Sequence, residues 1–544
     1  MDKCNFAVYF AGDAYSTAKK IMGRQSAGRS FMRGMARTWP SSPIAGVGYD
    51  MQAAREMLAQ LESDGFRGEL RWAEIPNWNG VAEVGTLYYP SPAAKDLAHS
   101  RNAWNPAGFS FMGVTFTLSS SAVCDAVAEL ILPPYQPWDA MICISQCAKD
   151  FALRMQEEYR SWWAEKTGAT RFNQPQMPVI PLGVDCPEFF ISPEQRREAR
   201  DRLGVSERET VFLFAGRLSF HGKANQIPLY QALERVAREA PVVCIEAGIH
   251  QNDAVREAYV HAQRALAPNV RFVWADGKDA HSYQAAWSSA DAFVSLSENI
   301  QETFGLTPVE AMAAGLPVVV SDWNGYRETV RHEVDGLRVA SCLPPPGTGR
   351  DLAMRHAVGA DTYDFYIGRA SMATVIDPEG IYHALRRLAL DPELRRKMGA
   401  AGQEHARRNY DWPVILRQYA GLADELARIR KDAGAQPPER WVPREDPFHR
   451  FSHFSTSTLS GSWHVRSRPE AQARLRELEQ LAMAKYAFHP ELLPAEIVAK
   501  VLDVIDRHGQ IEVNALLVEA GCAHSAGVRA LMWLWKFDLV SLQP

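Results

Sequence analysis

The chain has 544 residues, a hydrophobic fraction of 47%, a charged fraction of 23% and a formal net charge of −5. These values are typical of a globular protein of about three domains, and they exclude a global basic field that would draw the chain to nucleic acid. The sequence contains no apolar run of about 20 residues that could span a membrane. The N-terminal apolar run is too short for a signal peptide, and the scattered cysteines form no CxxC pair. We therefore expect a cytoplasmic protein with reduced thiols.

Short apolar runs alternate with helical periodicity through most of the chain. Strands are predicted at 5–10, 113–119, 140–145, 178–183, 210–216, 242–248, 270–275, 292–297 and 316–322. Alternation of strands and helices is typical of parallel sheets covered by helices on both faces. Because these strands are too many for one compact sheet, we predict an α/β fold with two doubly wound domains that meet near residues 185–195.

The chain after these domains changes in composition. Residues 343–377 carry the Pro and Gly of a surface excursion, and residues 433–467 are rich in Pro, Ser, His and aromatic residues without helical periodicity. The predicted parts are Rossmann-like domains over 1–188 and 189–409, a closing helix over 410–432, a linker over 433–467 and a helical accessory domain over 468–544.

The order of predicted elements in the C-terminal tail resembles a winged-helix module. DNA binding by such a module requires a basic third helix. Residues 491–544 hold seven acidic and four basic residues. We therefore favour a structural appendix, or a domain for protein contacts or oligomerisation, over a DNA reader.

Three arginines near the N-terminus, Arg29, Arg33 and Arg37, recur every four residues and share one helix face. Two interpretations are open. The face is a solvated surface, which we favour, or it meets an anionic acceptor or a membrane surface, which would place the protein peripherally at the inner membrane face.

The segment GRLSFHGK, residues 216–223, follows an apolar strand and looks like a phosphate-binding P-loop. A P-loop has four residues between its two glycines and a Ser or Thr after its lysine. Here five residues separate Gly216 from Gly222, and Ala224 follows Lys223. The P-loop interpretation therefore fails, and the roles of Arg217 and Lys223 need another explanation.

A second motif, SENIQETFGLTPVEAMAAGLPVVVSD, covers residues 297–322. A loop carries Glu302, and a helix is predicted to begin near Pro308 with Thr307 as its N-cap and Glu310 in its first turn. Each feature alone has an ordinary explanation, since a glutamate in a first turn suits the helix dipole and lone basic residues are usually solvated. Together, two cations and two hydroxyl-binding carboxylates at one sheet edge indicate a site for a nucleotide diphosphate sugar.

These two motifs resemble the retaining GT-B glycosyltransferases of family 4. The resemblance rests on Glu302-x7-Glu310 within ETFGLTPVEAMAAGLPVV and on the Arg217/Lys223 pair. It is strong over 178–342 and 377–430, weak over 1–177 and absent beyond about residue 435. It implies a GT-B fold with an acceptor-binding first domain and a donor-binding second domain.

The resemblance also implies roles for individual residues. Arg217 and Lys223 would neutralise the leaving diphosphate, Glu302 would hold the donor sugar and Glu310 the ribose. The remaining donor contacts would be Gly216 and the backbone amides of Phe304, Gly305 and Leu306, with the base near residues 274–278. No D-x-D motif occurs, which agrees with a site that needs no metal or other cofactor.

The acceptor side is less well defined. Residues 21–37 resemble the family's glycine-bearing loop before the first helix, so Gly23, Arg24 and Gly28 are candidate contacts to the diphosphate or the acceptor. Many members place a histidine after the strand that corresponds to residues 113–119, where this chain has Thr117 and Ser119. A hydroxyl can orient an acceptor by hydrogen bonding but is a poor base.

The leading hypothesis is a retaining hexosyltransferase that uses a nucleotide diphosphate sugar. The acceptor, which can be a glycan, a lipid, a small molecule or a protein, is not specified by the sequence. Two alternatives are a nucleotide-sugar epimerase on the same fold and a catalytically silent GT-B scaffold.

Overall fold

The computed structural model describes residues 3–15 and 23–543, with the side chains of residues 13, 23 and 24 outside the description. The chain divides into two compact units, Met1–Trp441 and Val442–Pro544. This boundary falls inside the segment that the sequence predicts as a linker.

The first lobe of the first unit is a doubly wound α/β domain. Its strands are β1 Ala7–Tyr9, β2 Ile44–Gly48, β3 Leu70–Glu74, β4 Thr86–Tyr89, β5 Ser110–Val114 and β6 Ala140–Ile142. Its helices are α1 Gly12–Tyr15, α2 Gly23–Thr38, α3 Met51–Ser63, α4 Asn79–Val84, α5 Lys95–Trp104, α6 Ser121–Glu129 and α7 Gln146–Thr167. The six strands pair in parallel in the order β3-β2-β1-β4-β5-β6.

The second lobe repeats this architecture. A 3-10 turn at Cys186–Phe189 leads into it. Its strands are β7 Thr210–Ala215, β8 Val242–Gly248, β9 Arg271–Asp276, β10 Ala292–Ser295, β11 Val318–Ser321, β12 Gly336–Val339, β13 Ser341–Cys342 and β14 Val375–Ile376. Its helices are α8 Pro193–Leu203, α9 Ile227–Ala237, α10 Asp253–Leu266, α11 Ala280–Ser289, α12 Leu306–Ala313, α13 Tyr326–Thr329, α14 Arg350–Ala357, α15 Tyr363–Met372, α16 Pro378–Leu390 and α17 Pro392–Asn409.

Six of these strands form a parallel sheet in the order β12-β11-β10-β7-β8-β9. Every residue of β7 is buried, which suits a central strand covered by helices on both faces. The predicted fold class, two doubly wound parallel-sheet domains, is confirmed. The strand predicted at 178–183 is wrong, because this segment makes isolated bridges such as Cys143 to Val179 rather than a ladder.

Helix α18, Trp412–Ala433, returns from the second lobe to the first. Its first residue, Trp412, is buried and donates from its indole nitrogen to the Ser30 hydroxyl of α2 at 2.6 Å. The following stretch also packs on the first lobe, since the Asn102 side chain donates to the Glu439 carboxylate at 2.8 Å. The beginning of the predicted linker is thus part of the first unit.

The second unit has its own apolar core and a small antiparallel sheet. Its elements are α19 Pro447–Arg450, β15 His464–Ser467, α20 Ala471–Leu478, α21 Ala482–Lys485, α22 Ala495–His508, β16 Ile511–Glu512, α23 Val513–Glu519, α24 His524–Lys536 and β17 Val540–Gln543. The strand order is β16-β15-β17. The central strand β15 lies in the segment predicted as linker, so that interpretation is wrong at its C-terminal end. Val465 explains the difference, because it is fully buried in the core of this unit.

Among the described residues, no helix is both long enough and apolar enough to cross a membrane. All eight cysteines are free thiols.

Candidate functional site

Two loops lie side by side at the carboxyl edge of the second-lobe sheet. The cation loop, residues 216–225, follows β7, and the carboxylate loop, residues 296–305, follows β10. These strands are parallel neighbours, so both loops leave the sheet at the same edge. This is the edge where ligands bind in open α/β sheets.

The two loops are joined by hydrogen bonds between side chains of the carboxylate loop and the backbone of the cation loop. Three amide or hydroxyl groups donate to backbone carbonyls: Gln301 to Gly222 at 2.7 Å, Asn299 to His221 at 2.7 Å and Ser297 to Lys223 at 3.0 Å. A fourth side chain, the Glu298 carboxylate, accepts from the backbone amide of Asn225 at 2.9 Å. These contacts with the neighbouring loop therefore fix the conformation of the cation loop.

The sequence predicts that Lys223 and Glu302 share one site, and the structure places them in direct contact. The Lys223 ammonium lies 2.5 Å from a Glu302 carboxylate oxygen, and the two side chains are only 17% and 15% exposed. Burial by itself would lower the pKa of Lys223 and raise that of Glu302. The attraction between the two charges outweighs burial, so the pKa of Lys223 is raised and that of Glu302 is lowered. Both groups are charged near neutral pH.

Arg217 differs from Lys223 in its partners. Its guanidinium donates to the carbonyl of Gly222 at 3.3 Å, and within the described part of the chain it makes no ion pair with a carboxylate. The side chain is half-buried. The site therefore carries one cation without a counter-charge, and such a cation attracts an anionic ligand.

Gly216, the first residue of the cation loop, allows a close approach between two backbone segments. It has a φ of 145°, and its carbonyl faces Gly248 at the end of β8. A Cβ atom on Gly248 would lie 1.8 Å from the Gly216 oxygen, so any side chain there would displace the loop. The predicted base-contacting stretch, residues 274–278, begins beside this point, since the Trp274 indole donates to the Gly248 carbonyl at 3.1 Å.

Tyr326 packs against the carboxylate loop and forms a hydrogen bond with it. Its hydroxyl lies 2.9 Å from the Ser295 hydroxyl and donates to the Glu302 carboxylate at 3.4 Å. Gly305 has a φ of 94°, and a Cβ atom there would lie 2.1 Å from the Tyr326 ring. Glycine at 305 is thus needed both for the backbone conformation and for contact with the tyrosine.

Helix α12 begins earlier than the sequence predicts. Gly305 is its N-cap, and Leu306 rather than Pro308 is its first residue. The predicted N-cap, Thr307, lies inside the first turn, where its hydroxyl is buried without a described partner. The prediction is wrong because a Thr-Pro pair is a common start of a helix, whereas this helix starts at the left-handed Gly305 before it. Glu310 consequently lies beyond the first turn.

The remaining predicted donor residues lie around this helix start. The Phe304 amide donates to the Glu302 carboxylate, and the Phe304 side chain is buried. Glu310 is half-buried, and its pKa is raised to about 7 by burial and by the nearby Glu188 carboxylate. A carboxyl that titrates near neutral pH is thus held close to the Lys223–Glu302 pair.

The predicted contacts near the N-terminus have a different setting from the one expected. Part of the predicted glycine-bearing loop, residues 21 and 22, and the Arg24 side chain lie outside the described residues. Gly23 begins α2 and Gly28 lies within it, not in a loop. A Cβ atom on Gly28 would lie 2.1 Å from the Ala14 carbonyl oxygen, so this glycine allows α1 and α2 to pack closely.

The three N-terminal arginines form neither a solvated nor an open basic face. Arg29 pairs with Asp64, Arg33 with Glu188 and Arg37 with Asp185. All three arginine side chains are more than two-thirds buried. Neither a solvated surface nor an open basic face is therefore correct, because the arginines are paired and mostly buried. Helical spacing alone could not reveal the carboxylates that the fold brings to this face.

The predicted acceptor-side residues lie where the first lobe meets the second. The Thr303 hydroxyl donates to the carbonyl of Phe116 at 2.5 Å, and the Ser145 hydroxyl donates to the Thr303 carbonyl at 2.8 Å. Thr117 and Ser119 lie just after Phe116 in the sequence, and their hydroxyls are 3.2 Å apart. The first lobe therefore contacts the carboxylate loop next to Glu302.

The sequence does not predict Glu298, Tyr326 or Tyr363, whose hydroxyl lies 2.7 Å from the Ser119 hydroxyl. Glu298 follows β10 in the loop already singled out, so its position was a usable signal. Tyr326 and Tyr363 lie in separate elements, and no sequence spacing links them to the site.

Comparison with known proteins agrees with this geometry. Residues 195–344 match the model of the family described as glycosyl transferases group 1. The chain is 31% identical over 172 residues to an uncharacterized glycosyltransferase of Methanocaldococcus jannaschii, and 35% identical over 172 residues to a D-inositol 3-phosphate glycosyltransferase of Geodermatophilus obscurus. These alignments cover 31% and 30% of the chain and span 42% and 36% of the two relatives.

Solved structures resemble a larger part of the chain. Anabaena HepE, solved in complex with UDP and glucose, is similar over 77% of this chain and 100% of its own, with a TM-score of 0.50 and 17% identity. A glycosyltransferase of Rickettsia africae covers 77% of this chain and 98% of its own, with a TM-score of 0.50 and 14% identity. These likenesses concern the fold. Together the comparisons show that residues 195–344 are similar to the glycosyl transferases group 1 family and that the chain has the GT-B fold.

Proposed function

We propose that this protein is a retaining glycosyltransferase of the family 4 type, which moves a sugar from a nucleotide diphosphate sugar to an acceptor hydroxyl without a metal ion. The observation that supports it most is the arrangement of Arg217, Lys223 and Glu302 at the carboxyl edge of the second-lobe sheet. Among the described residues, Arg217 has no carboxylate partner there, and the buried Glu302 carboxylate lies beside the other cation, Lys223. An anion joined to a hydroxyl-rich group suits such a site.

The proposed reaction assigns each group a task. The bond between the anomeric carbon and the diphosphate oxygen breaks, and a bond forms from the acceptor oxygen to the same face of that carbon. The acceptor proton passes to the departing phosphate oxygen. Arg217 and Lys223 would stabilise the negative charge that develops on the diphosphate, and this task needs no metal when two cations are already in place. Glu302 would accept hydrogen bonds from donor-sugar hydroxyls, and Glu310 from the ribose.

The Lys223–Glu302 contact gives the site a balanced pair of buried charges. An arriving diphosphate would compete with Glu302 for Lys223 and leave Glu302 able to accept from sugar hydroxyls. The proposed donor thus supplies partners to both members of the pair, so neither charge is left buried alone.

The test begins with UDP, because the structural neighbour HepE was solved with UDP. Calorimetric titration should show binding, and Arg217→Gln should weaken it by about ten- to 150-fold, since charge-assisted hydrogen bonds of this kind are worth about 1.5–3 kcal/mol. Arg208→Gln is the matched control, because Arg208 lies on the exposed surface of the same lobe. Equal UDP affinity in both variants would remove the basis of the proposal.

Turnover assays then separate the alternatives. Transfer from UDP-glucose that persists in EDTA supports the metal-independent enzyme, and loss of activity in EDTA contradicts that part of it. Conversion of the donor to another nucleotide sugar without acceptor would indicate an epimerase. The third alternative is tested by binding alone. If the wild-type chain binds neither UDP nor any nucleotide diphosphate sugar in a thermal-shift screen, the result favours a catalytically silent scaffold.

A further inference from the structure

The surface excursion predicted at residues 343–377 is an ordered helical hairpin. A short antiparallel ladder of β13 and β14 closes its base. Between these strands, α14 and α15 are held together by Asp361, a buried carboxylate that pairs with Arg355 at 2.8 Å and with Arg369. The His356 ring stacks on Tyr366 at 4.9 Å. The hairpin therefore has a defined shape of its own.

The hairpin contacts both sides of the candidate site. On the second lobe, Asp364 lies 4.0 Å from a His221 ring nitrogen in the cation loop, and a Cβ atom on Gly368 would lie 2.9 Å from the His221 side chain. On the first lobe, the Ser121 hydroxyl lies 3.3 Å from His356. His221, which lies between Arg217 and Lys223 in the sequence, thus has the α15 helix as its neighbour.

Tyr363, the first residue of α15, reaches the predicted acceptor-side residues. Its hydroxyl lies 2.7 Å from the Ser119 hydroxyl and 3.3 Å from that of Thr117. The three hydroxyls form a cluster, and all three side chains are half-buried. The next residue along α15, Asp364, faces the cation loop. One end of one helix therefore links the acceptor-side segment to the loop that carries the two cations.

We propose that Tyr363 is a specificity-determining residue that positions a neutral polyhydroxyl acceptor, a sugar or a polyol, at the Tyr363–Ser119–Thr117 cluster. Each hydroxyl of the cluster both donates and accepts, as the hydroxyls of a carbohydrate do. Arg355 and Arg369 of the hairpin are paired with Asp361, so neither charge is presented at the cluster, whose polar groups are hydroxyls. A polyol would replace the bonds that the three residues make to one another. This inference rests on the proposed function, because the cluster needs a donor site beside it.

The test compares Tyr363→Phe with Tyr366→Phe. Tyr366 lies in the same helix, and its hydroxyl has no described hydrogen-bond partner. Glycerol, D-glucose and myo-inositol are titrated as probes, with and without saturating UDP, and binding is followed by saturation-transfer NMR. We expect wild type to bind at least one probe. The substitution at 363 should weaken that binding about three- to tenfold, as expected for one lost hydrogen bond, and the one at 366 should leave it unchanged.

Several results would overturn the proposal. It fails if no probe binds the wild-type chain, or if the two phenylalanine variants bind the probes equally. It also fails if Tyr363→Phe weakens UDP binding as much as polyol binding, because that pattern indicates a structural role. Ser119→Ala should reproduce the effect of Tyr363→Phe, and the double variant should be little worse than either single one. If the wild-type chain does not bind UDP, that result contradicts the proposed function and not this inference. The titrations without UDP still show whether Tyr363 contributes to polyol binding.

Discussion

At the scale of single residues, the Lys223–Glu302 pair changes how the site must be probed. Each charge is buried and compensated by the other. Lys223→Met leaves the Glu302 carboxylate without its cation, and breaking a buried pair in this way costs about 3–5 kcal/mol. A loss of activity in this variant alone could therefore reflect unfolding rather than chemistry.

We predict that Lys223→Met destabilises the chain by about 3 kcal/mol and that the double variant Lys223→Met/Glu302→Gln recovers much of this loss. The reason is that glutamine at 302 needs no counter-charge. Urea unfolding of the two variants and of Lys397→Met, an exposed surface lysine, measures the effect. A double variant less stable than Lys223→Met would contradict the assignment of a compensated pair.

Glu310 gives the donor site a pH dependence. Its pKa is raised to about 7, first by burial and then by the Glu188 carboxylate. The proposed contact to ribose hydroxyls needs the ionised carboxylate as acceptor. Affinity for a nucleotide sugar should therefore rise as the pH increases through about 7, because protonation removes the acceptor on the acidic side.

Calorimetry with UDP-glucose between about pH 6 and pH 8 tests this prediction. Glu310→Gln should flatten the profile. Glu188→Gln should keep the profile and move its midpoint to lower pH, because a neighbouring negative charge is removed. A wild-type affinity that does not change across this range would show that Glu310 does not contact the nucleotide in its ionised form.

At the scale of elements, the sequence predicts the buried strands of the second lobe and the long helix α18 well, but it misses several strands of both lobes. β7, β8 and β10 are largely apolar runs, and a central parallel strand has that pattern. β2 and β12 were missed because IAGVG and GLRV are short and contain glycine, which propensity assigns to turns. Their strand conformation comes from pairing with neighbouring strands, β2 with β1 and β3 and β12 with β11, and not from local propensity.

In the candidate site too, some residues could be predicted from the sequence and others could not. Arg217, Lys223 and Glu302 were predicted because each follows a recognisable strand, and the sheet order brings those strands together. Tyr363 could not be predicted, because its contact with Ser119 joins positions 244 residues apart and depends on how the hairpin folds back. Tertiary contacts made by insertions have no local sequence signal.

At the scale of the whole molecule, the two lobes of the first unit are joined at several separate places. The Glu328 carboxylate accepts from the backbone amides of Gln146 and Cys147, at 2.6 and 2.9 Å, at the start of α7. Arg37 pairs with Asp185 where the chain passes between the lobes. These contacts and the helical hairpin hold the two lobes together beside the cation and carboxylate loops.

The C-terminal unit provides the last prediction. Residues Val442–Pro544 have a separate apolar core that includes Val465, Leu502 and Leu531, and Trp441 at the end of the first unit stacks on His99 at 4.9 Å. We expect a chain truncated after Trp441 to fold and to bind UDP with an affinity within about twofold of the full chain, because every candidate donor residue lies in the first unit. Calorimetry of the full chain should show two unfolding transitions, one of which the truncated chain lacks.

A second truncation, after Ala433, is the matched control for this experiment. It also removes Glu439 and Trp441, whose contacts to Asn102 and His99 hold residues 434–441 on the first lobe. This chain should unfold at a lower temperature than the one that ends at Trp441. The chain that ends at Trp441 could instead be insoluble, or fail to bind UDP while the full chain binds it. Either result would show that the first unit depends on the second and that the two cores are not independent folding units.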